Sequence, residues 1–143
     1  MDLVYCNINS FFQEKLQDLK CQPITKAYII GIYSKYKNSD FDLSKNNITL
    51  LFLQAKEKHS FSEYQNLGDW LFYTKSIFPD FLKNASEDYY NNIAKLSYYN
   101  CYKIIKTWKV YEELADEYVP LTENVKNILK NNILFEHPRK ITF

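Results

Sequence analysis

The sequence predicts an all-α fold, a single-domain bundle of five to seven helices spanning residues 1–143, and three observations predict it. Gly31 and Gly68 are the only glycines in 143 residues, where average usage of about 7% would supply on the order of ten. Hairpin-rich β folds need glycine at their turns, whereas helices joined by short polar loops need little of it. Apolar residues recur at helical spacing, most clearly over Tyr89, Tyr90, Ile93, Leu96, Ser97, Cys101, Ile104, Ile105 and Trp108. Finally, a hydrophobic content of 46% over this length suits one buried core.

The elements follow in order. Asn9 or Ser10 can cap a first helix through FFQEKLQDLK, with Phe12, Leu16 and Leu19 on one face. Pro23 separates it from a second, about Ile24 to Lys37, with Tyr28, Ile29, Ile32, Tyr33 and Tyr36 at helical spacing. Gly31 weakens that helix, and close packing of a neighbour would explain it. Asn38 to Asn46 reads as a loop. The apolar run Ile48 to Leu53 continues into the amphipathic, lysine-rich QAKEKH, which favours helix over strand. Ser62 offers a cap for a helix to Phe78 that is apolar on nearly every side, as a central helix would be. After a break at Pro79 to Ala85, Ser86 caps the long helix that carries the clearest stripe, with a turn at Lys106 to Lys109. Val110, Tyr111, Leu114, Ala115 and Tyr118 mark a further helix that stops near Pro120, and Thr122 caps a last one packed by Val125, Ile128 and Leu129. An irregular tail covers about 132–143.

Composition excludes more than it assigns. With 18 basic and 17 acidic residues the net charge is +1, and Arg139 is the only arginine. Neither a field that attracts nucleic acid or anionic membrane nor bidentate arginine forks are on offer, so neither partner is expected. AT-rich coding would itself supply much of the Lys, Asn, Ile and Tyr. No apolar run approaches the roughly 20 residues that span a bilayer, and the N-terminus has no basic segment followed by an apolar one. Cys6, Cys21 and Cys101 are odd in number and widely spaced. They read as buried free thiols of a reducing, cytoplasmic compartment. His59 and His137 fit no metal-binding spacing, and the glycine shortage removes phosphate loops and nucleophile elbows. No metal and no cofactor is expected. Ser62 and Ser86 have no histidine at a catalytic spacing and read as caps.

The stretch LGDWLFYTKSIFPDFL, followed by DYY, SYY and VYEELADEYVPL, resembles a family of uncharacterised bacterial proteins with an LGDxxLF…FP…YY…ELA pattern. The likeness covers roughly Asn66 to Leu121. Leu67, Gly68, Asp69, Leu71, Phe72, Phe78, Pro79, Tyr89, Tyr90, Tyr98, Glu113, Leu114 and Ala115 carry it, while Ser76, Ala94 and Ser97 stand between the motifs where the pattern has glycine or alanine, so that the two serines depart from it. The resemblance implies a shared fold and a set of notable positions, and it brings no activity.

Three constellations remain. Gly68 and Asp69 lie inside the apolar central helix, where a glycine weakens the helix and a carboxylate needs donors. Asp69, with Tyr73 one turn on and Tyr90, is therefore the candidate pocket; the alternative is a satisfied structural acid that orients helices. Glu112, Glu113, Asp116 and Glu117 form two i, i+4 carboxylate pairs, which with Lys109 beside them read as a solvated acidic face rather than a cation site. The 13 tyrosines include Tyr98, Tyr99 and Tyr102, which cannot all face one core, so these three form the candidate interface. The favoured function is a helical interaction or regulatory module that uses this aromatic surface with a protein partner or a second copy. The alternatives are a small enzyme or ligand-binding protein with a tyrosine-lined pocket at Asp69, and a structural component of a phage or other assembly.

Overall fold

A computed structural model describes residues 12–37 and 47–130. It is an all-α bundle, and no strand occurs among the described residues. The helices are α1 (Pro23–Lys37), α2 (Ile48–Lys58), α3 (Phe61–Ile77), α4 (Glu87–Ile104), α5 (Val110–Asp116) and α6 (Tyr118–Lys130), with a 3₁₀ turn at Pro79–Phe81 between α3 and α4. A helical turn at 12–15 precedes them. The loop expected at Asn38 to Asn46, the first helix's cap, Cys6, His137, Arg139 and the C-terminal tail lie outside the described residues.

The starts of α2, α3 and α4 use short polar side chains, of which only Ser86 is one that the sequence singles out as a cap. Asn47 accepts from the backbone of Leu50 at 3.1 Å and Ser86 from that of Tyr89 at 3.1 Å. Each satisfies an amide that has no partner within the first turn. The cap of α3 is Ser60 rather than Ser62, and its Oγ accepts from Glu63 N at 3.2 Å. Ser60 and Glu63 have the three-residue spacing of a capping box, whereas Ser62 already lies within the first turn. His59, between α2 and α3, closes α2 in the left-handed conformation with φ 50°.

Two boundaries differ from expectation. The helix at 12–15 gives way to turns before Lys20, although Phe12, Leu16 and Leu19 are buried as expected. Pro120 does not end a helix: α5 ends at Asp116, and Pro120 falls in the first turn of α6. There its missing N–H removes no intrahelical bond. Thr122 is accordingly no cap; its buried hydroxyl donates back to the Tyr118 carbonyl at 2.8 Å.

The centre of the bundle is α3, which packs against α1, α2, α4 and α6. Residues 67–72 along it are all buried, so its all-round apolar character reflects neighbours on every side. Gly31 of α1 is exposed, and a Cβ there would meet nothing within 4 Å. The close packing expected at Gly31 occurs instead at Gly68. Among the described residues no helix is long and apolar enough to cross a membrane.

Candidate functional site

Asp69 stands near the middle of α3 and is 4% exposed. A buried carboxylate requires donors, and two phenols provide them. Tyr98 of α4 donates to Oδ1 at 2.8 Å, and Tyr28 of α1 donates to Oδ1 and Oδ2 at 2.9 and 3.0 Å. Around them Tyr111 of α5 sets its ring edge-on to Tyr28 at 5.3 Å and stacks on Tyr98 at 6.2 Å. Its hydroxyl accepts from Gln65 Nε2 at 2.7 Å. One carboxylate thus ties α1, α3 and α4 together, with α5 as the fourth wall.

Gly68 makes this approach possible. Tyr98 is fully buried, and its ring crosses α3 where the only side chain is a hydrogen. The glycine and the acid are adjacent because the ring that needs the gap carries the hydroxyl that the acid needs.

Burial raises the Asp69 pKa to about 6, against the pull of the Tyr98 and Tyr28 hydrogen bonds and of Lys35. Burial and the neighbouring carboxylate together push the Tyr98 and Tyr28 hydroxyls well above the ordinary phenol value. Both phenols therefore remain protonated donors across the range in which Asp69 titrates. With its oxygens engaged by internal hydroxyls and almost no exposed surface, Asp69 is placed to orient helices.

The residues expected beside Asp69 lie elsewhere. Tyr73 turns toward α1, where its ring meets Tyr33 at 5.7 Å and Tyr36 at 5.3 Å. Tyr90 lines a cavity bounded by Lys75 and Asn91. Tyr28, which the sequence offered only as part of a core stripe, takes the role expected of Tyr73. It reaches Asp69 from 41 positions away, a relationship that no local spacing encodes.

The three tyrosines of the candidate interface also separate. Tyr98 is buried and is not part of any surface, because it shares the inward face of α4 with Ala94 and Cys101. Tyr102 is half-buried. Tyr99 is 48% exposed and Leu96, one turn before it, is 45% exposed. Lys103 Nζ lies 5.7 Å from the Tyr99 ring centroid, a cation–π contact on the same outward face. Ile104 and Trp108 are exposed beyond them, and Trp108 rests edge-on against Phe61.

The acidic helix α5 has a structural task. Glu113 accepts from the backbone N–H of Gln22 at 3.2 and 3.3 Å through its two oxygens. Its charge is thereby set just before the first turn of α1, where a helix favours an anion. Among the described residues no group of three His, Cys, Asp or Glu side chains could hold a metal ion. Cys21 and Cys101 are free thiols. Cys101 is buried with its Sγ 3.8 Å from the Phe61 carbonyl, and burial raises its pKa.

Comparison of the chain with protein-family models, with curated proteins and with solved structures finds no match.

Proposed function

We propose that this protein is a cytoplasmic helical interaction module that associates with a second copy of itself through the outward face of α4. The observation that carries this reading is the contrast between neighbours: Tyr98 is fully buried while Tyr99 and Leu96 stay about half exposed on one face. Tyr33, Tyr98, Tyr111 and Tyr118 all lie within the core, so the chain buries aromatic rings where it has room. A tyrosine presented with a leucine and under a lysine is the mixed apolar and polar surface that protein interfaces favour. A net charge of +1 opposes self-association only weakly. The free thiols Cys21 and Cys101 support the reducing compartment in this reading. Asp69 serves it indirectly, by fixing α4 against α3 so that the outward face is rigid.

Light scattering across a dilution series tests the proposal. The expected result is a monomer–dimer equilibrium burying at least about 1,000 Å² in total, with Tyr99→Glu releasing monomers of unchanged circular dichroism. A wild-type chain that remains monomeric at the highest attainable concentration, or a Tyr99→Glu protein that dimerises as well as wild type, overturns it.

A further inference from the structure

From Tyr90 to Lys103 the exposed side chains of α4 are Asn92, Leu96, Tyr99 and Lys103, at intervals of four, three and four residues. That alternation averages about 3.5 residues, the period at which one helix holds a narrow seam against another. The inward face, with Tyr90, Ala94, Tyr98 and Cys101, is already buried. The seam is thus a second face of the same helix, open to solvent, with its apolar residues in the middle and its polar ones at the ends. Charge is divided along it as well. Glu87 and Asp88 stand in the first turn of α4 and Lys103 in the last, and Lys106 is exposed just beyond the helix.

Resting on the reading that this face meets a second copy of the chain, we infer that the two α4 helices pair antiparallel about a two-fold axis between Leu96 and Tyr99, with Asn92 and Lys103 as the residues that set direction and register. One point on the helix is the midpoint both of 96 and 99 and of 92 and 103, so a two-fold there satisfies the whole seam at once. Leu96 then packs on the partner's Tyr99, and Lys103 Nζ donates to Oδ1 of the partner's Asn92. The basic end of each helix lies along the acidic first turn of the other, an electrostatic match that fixes direction. Parallel pairing would instead set Lys103 against the partner's Lys103 and one acidic first turn against the other, a juxtaposition of like charges. Sliding the antiparallel pair by seven residues either way would put Leu96 against the partner's Asn92 or the partner's Lys106, which removes its apolar contact.

A double-mutant cycle on the dimer tests the register, with the dissociation constant of the intact chain measured by sedimentation equilibrium for wild type, Asn92→Lys, Lys103→Glu and the double variant. Both positions are exposed, and circular dichroism checks that each variant keeps its fold. Asn92→Lys places a cation against the partner's Lys103, and Lys103→Glu places an anion against the partner's acidic first turn. Each is expected to loosen the dimer at least about threefold, while the double variant, which pairs opposite charges again, recovers at least about threefold over the product of the two single effects. Within one chain the two positions are about 16 Å apart along the helix at 1.5 Å per residue, well beyond the Debye length of about 8 Å at physiological salt, so such coupling arises across the interface. A wild-type dimer that Tyr99→Glu dissociates but whose cycle is additive, or whose single variants bind as wild type does, overturns the antiparallel register and leaves the use of this face standing. A wild-type chain that stays monomeric overturns both.

Discussion

The Tyr98 ring lies so close over Gly68 that a Cβ on the glycine would come within 2.9 Å of Cε1 and 3.1 Å of Cδ1 and Cζ. The ring cannot yield easily, because it is fully buried and its hydroxyl is held by Asp69. Gly68→Ala should therefore destabilise the fold by about 1 to 3 kcal/mol despite alanine's better helix propensity. Gly31→Ala supplies the control. It is also helical, but its Cβ would enter open space, so it should stabilise by about 0.5 to 1 kcal/mol. Urea unfolding of both variants checks the pair, and a stabilising Gly68→Ala would mean that Tyr98 is not pinned.

Asp69 makes stability depend on pH in an unusual direction for an acid. Its pKa is raised from 3.8 to about 6 by folding, so between those values the native state binds the extra proton. Stability contributed by this group is thus fully present below about pH 4 and is lost as pH rises toward 6, by about 3 kcal/mol at 1.36 kcal/mol per pKa unit. Asp69→Asn cannot titrate. The stability of wild type relative to Asp69→Asn should fall between pH 4 and 6 and then level off. Thermal melts across that range decide it; a relative gain for wild type over the same interval would show that the phenol hydrogen bonds outweigh burial.

How much of this was legible depends on whether the cause was local. Ser86 sits three residues before the amide that it satisfies, and such a signal is written in the chain, although at α2 the sequence also offers several polar residues ahead of Asn47, which alone makes the cap. The pairing of Gly68 with Asp69 was also visible, as two residues out of place in an apolar helix. Their partners were not, because Tyr28 and Tyr98 stand 41 and 29 positions away. The stripe through α4 holds in part: Tyr90, Ile93, Ser97 and Cys101 are buried as it predicts, whereas Leu96, Ile104 and Trp108 are exposed. The buried face includes the small residues Ala94, Ser97 and Cys101. The cavity at Lys75 had no sequence signal, since it arises where three helices and a turn fail to fill space.

His59 ends α2 with φ 50°, a left-handed conformation that costs a side chain bearing Cβ roughly 1 to 2 kcal/mol. Its backbone N–H reaches the carbonyls of Ala55 and Lys56, so the backbone performs the closure and the imidazole is not required for it. Glycine is the usual residue at such a helix end. His59→Gly is expected to stabilise by up to about 1 kcal/mol, after the greater freedom of an unfolded glycine is subtracted. Differential scanning calorimetry is sufficient, and a clear loss of stability would assign the imidazole a contact of its own.

Tyr28 and Tyr98 both donate to Oδ1 of Asp69, which makes their contributions interdependent. Tyr98→Phe keeps the ring over Gly68 and removes only the hydroxyl, leaving the carboxylate with Tyr28 alone. A hydrogen bond to a charged acceptor contributes about 1.5 to 3 kcal/mol, so that loss is expected near pH 7. Below pH 4 the carboxyl is protonated, the bond becomes one between neutral groups, and the loss should shrink toward about 1 kcal/mol. Tyr28→Phe should behave alike but cost less, because this bond is only partly buried. Removing both hydroxyls leaves a buried carboxylate without either donor, so the double variant should lose more than the sum of the singles, by at least about 0.5 kcal/mol at neutral pH. The excess should vanish in acid, where the neutral carboxyl needs its donors less. A double-mutant cycle at the two pH values measures both quantities, and additivity at pH 7 would mean that Asp69 is already neutral there or draws on a donor other than the two phenols.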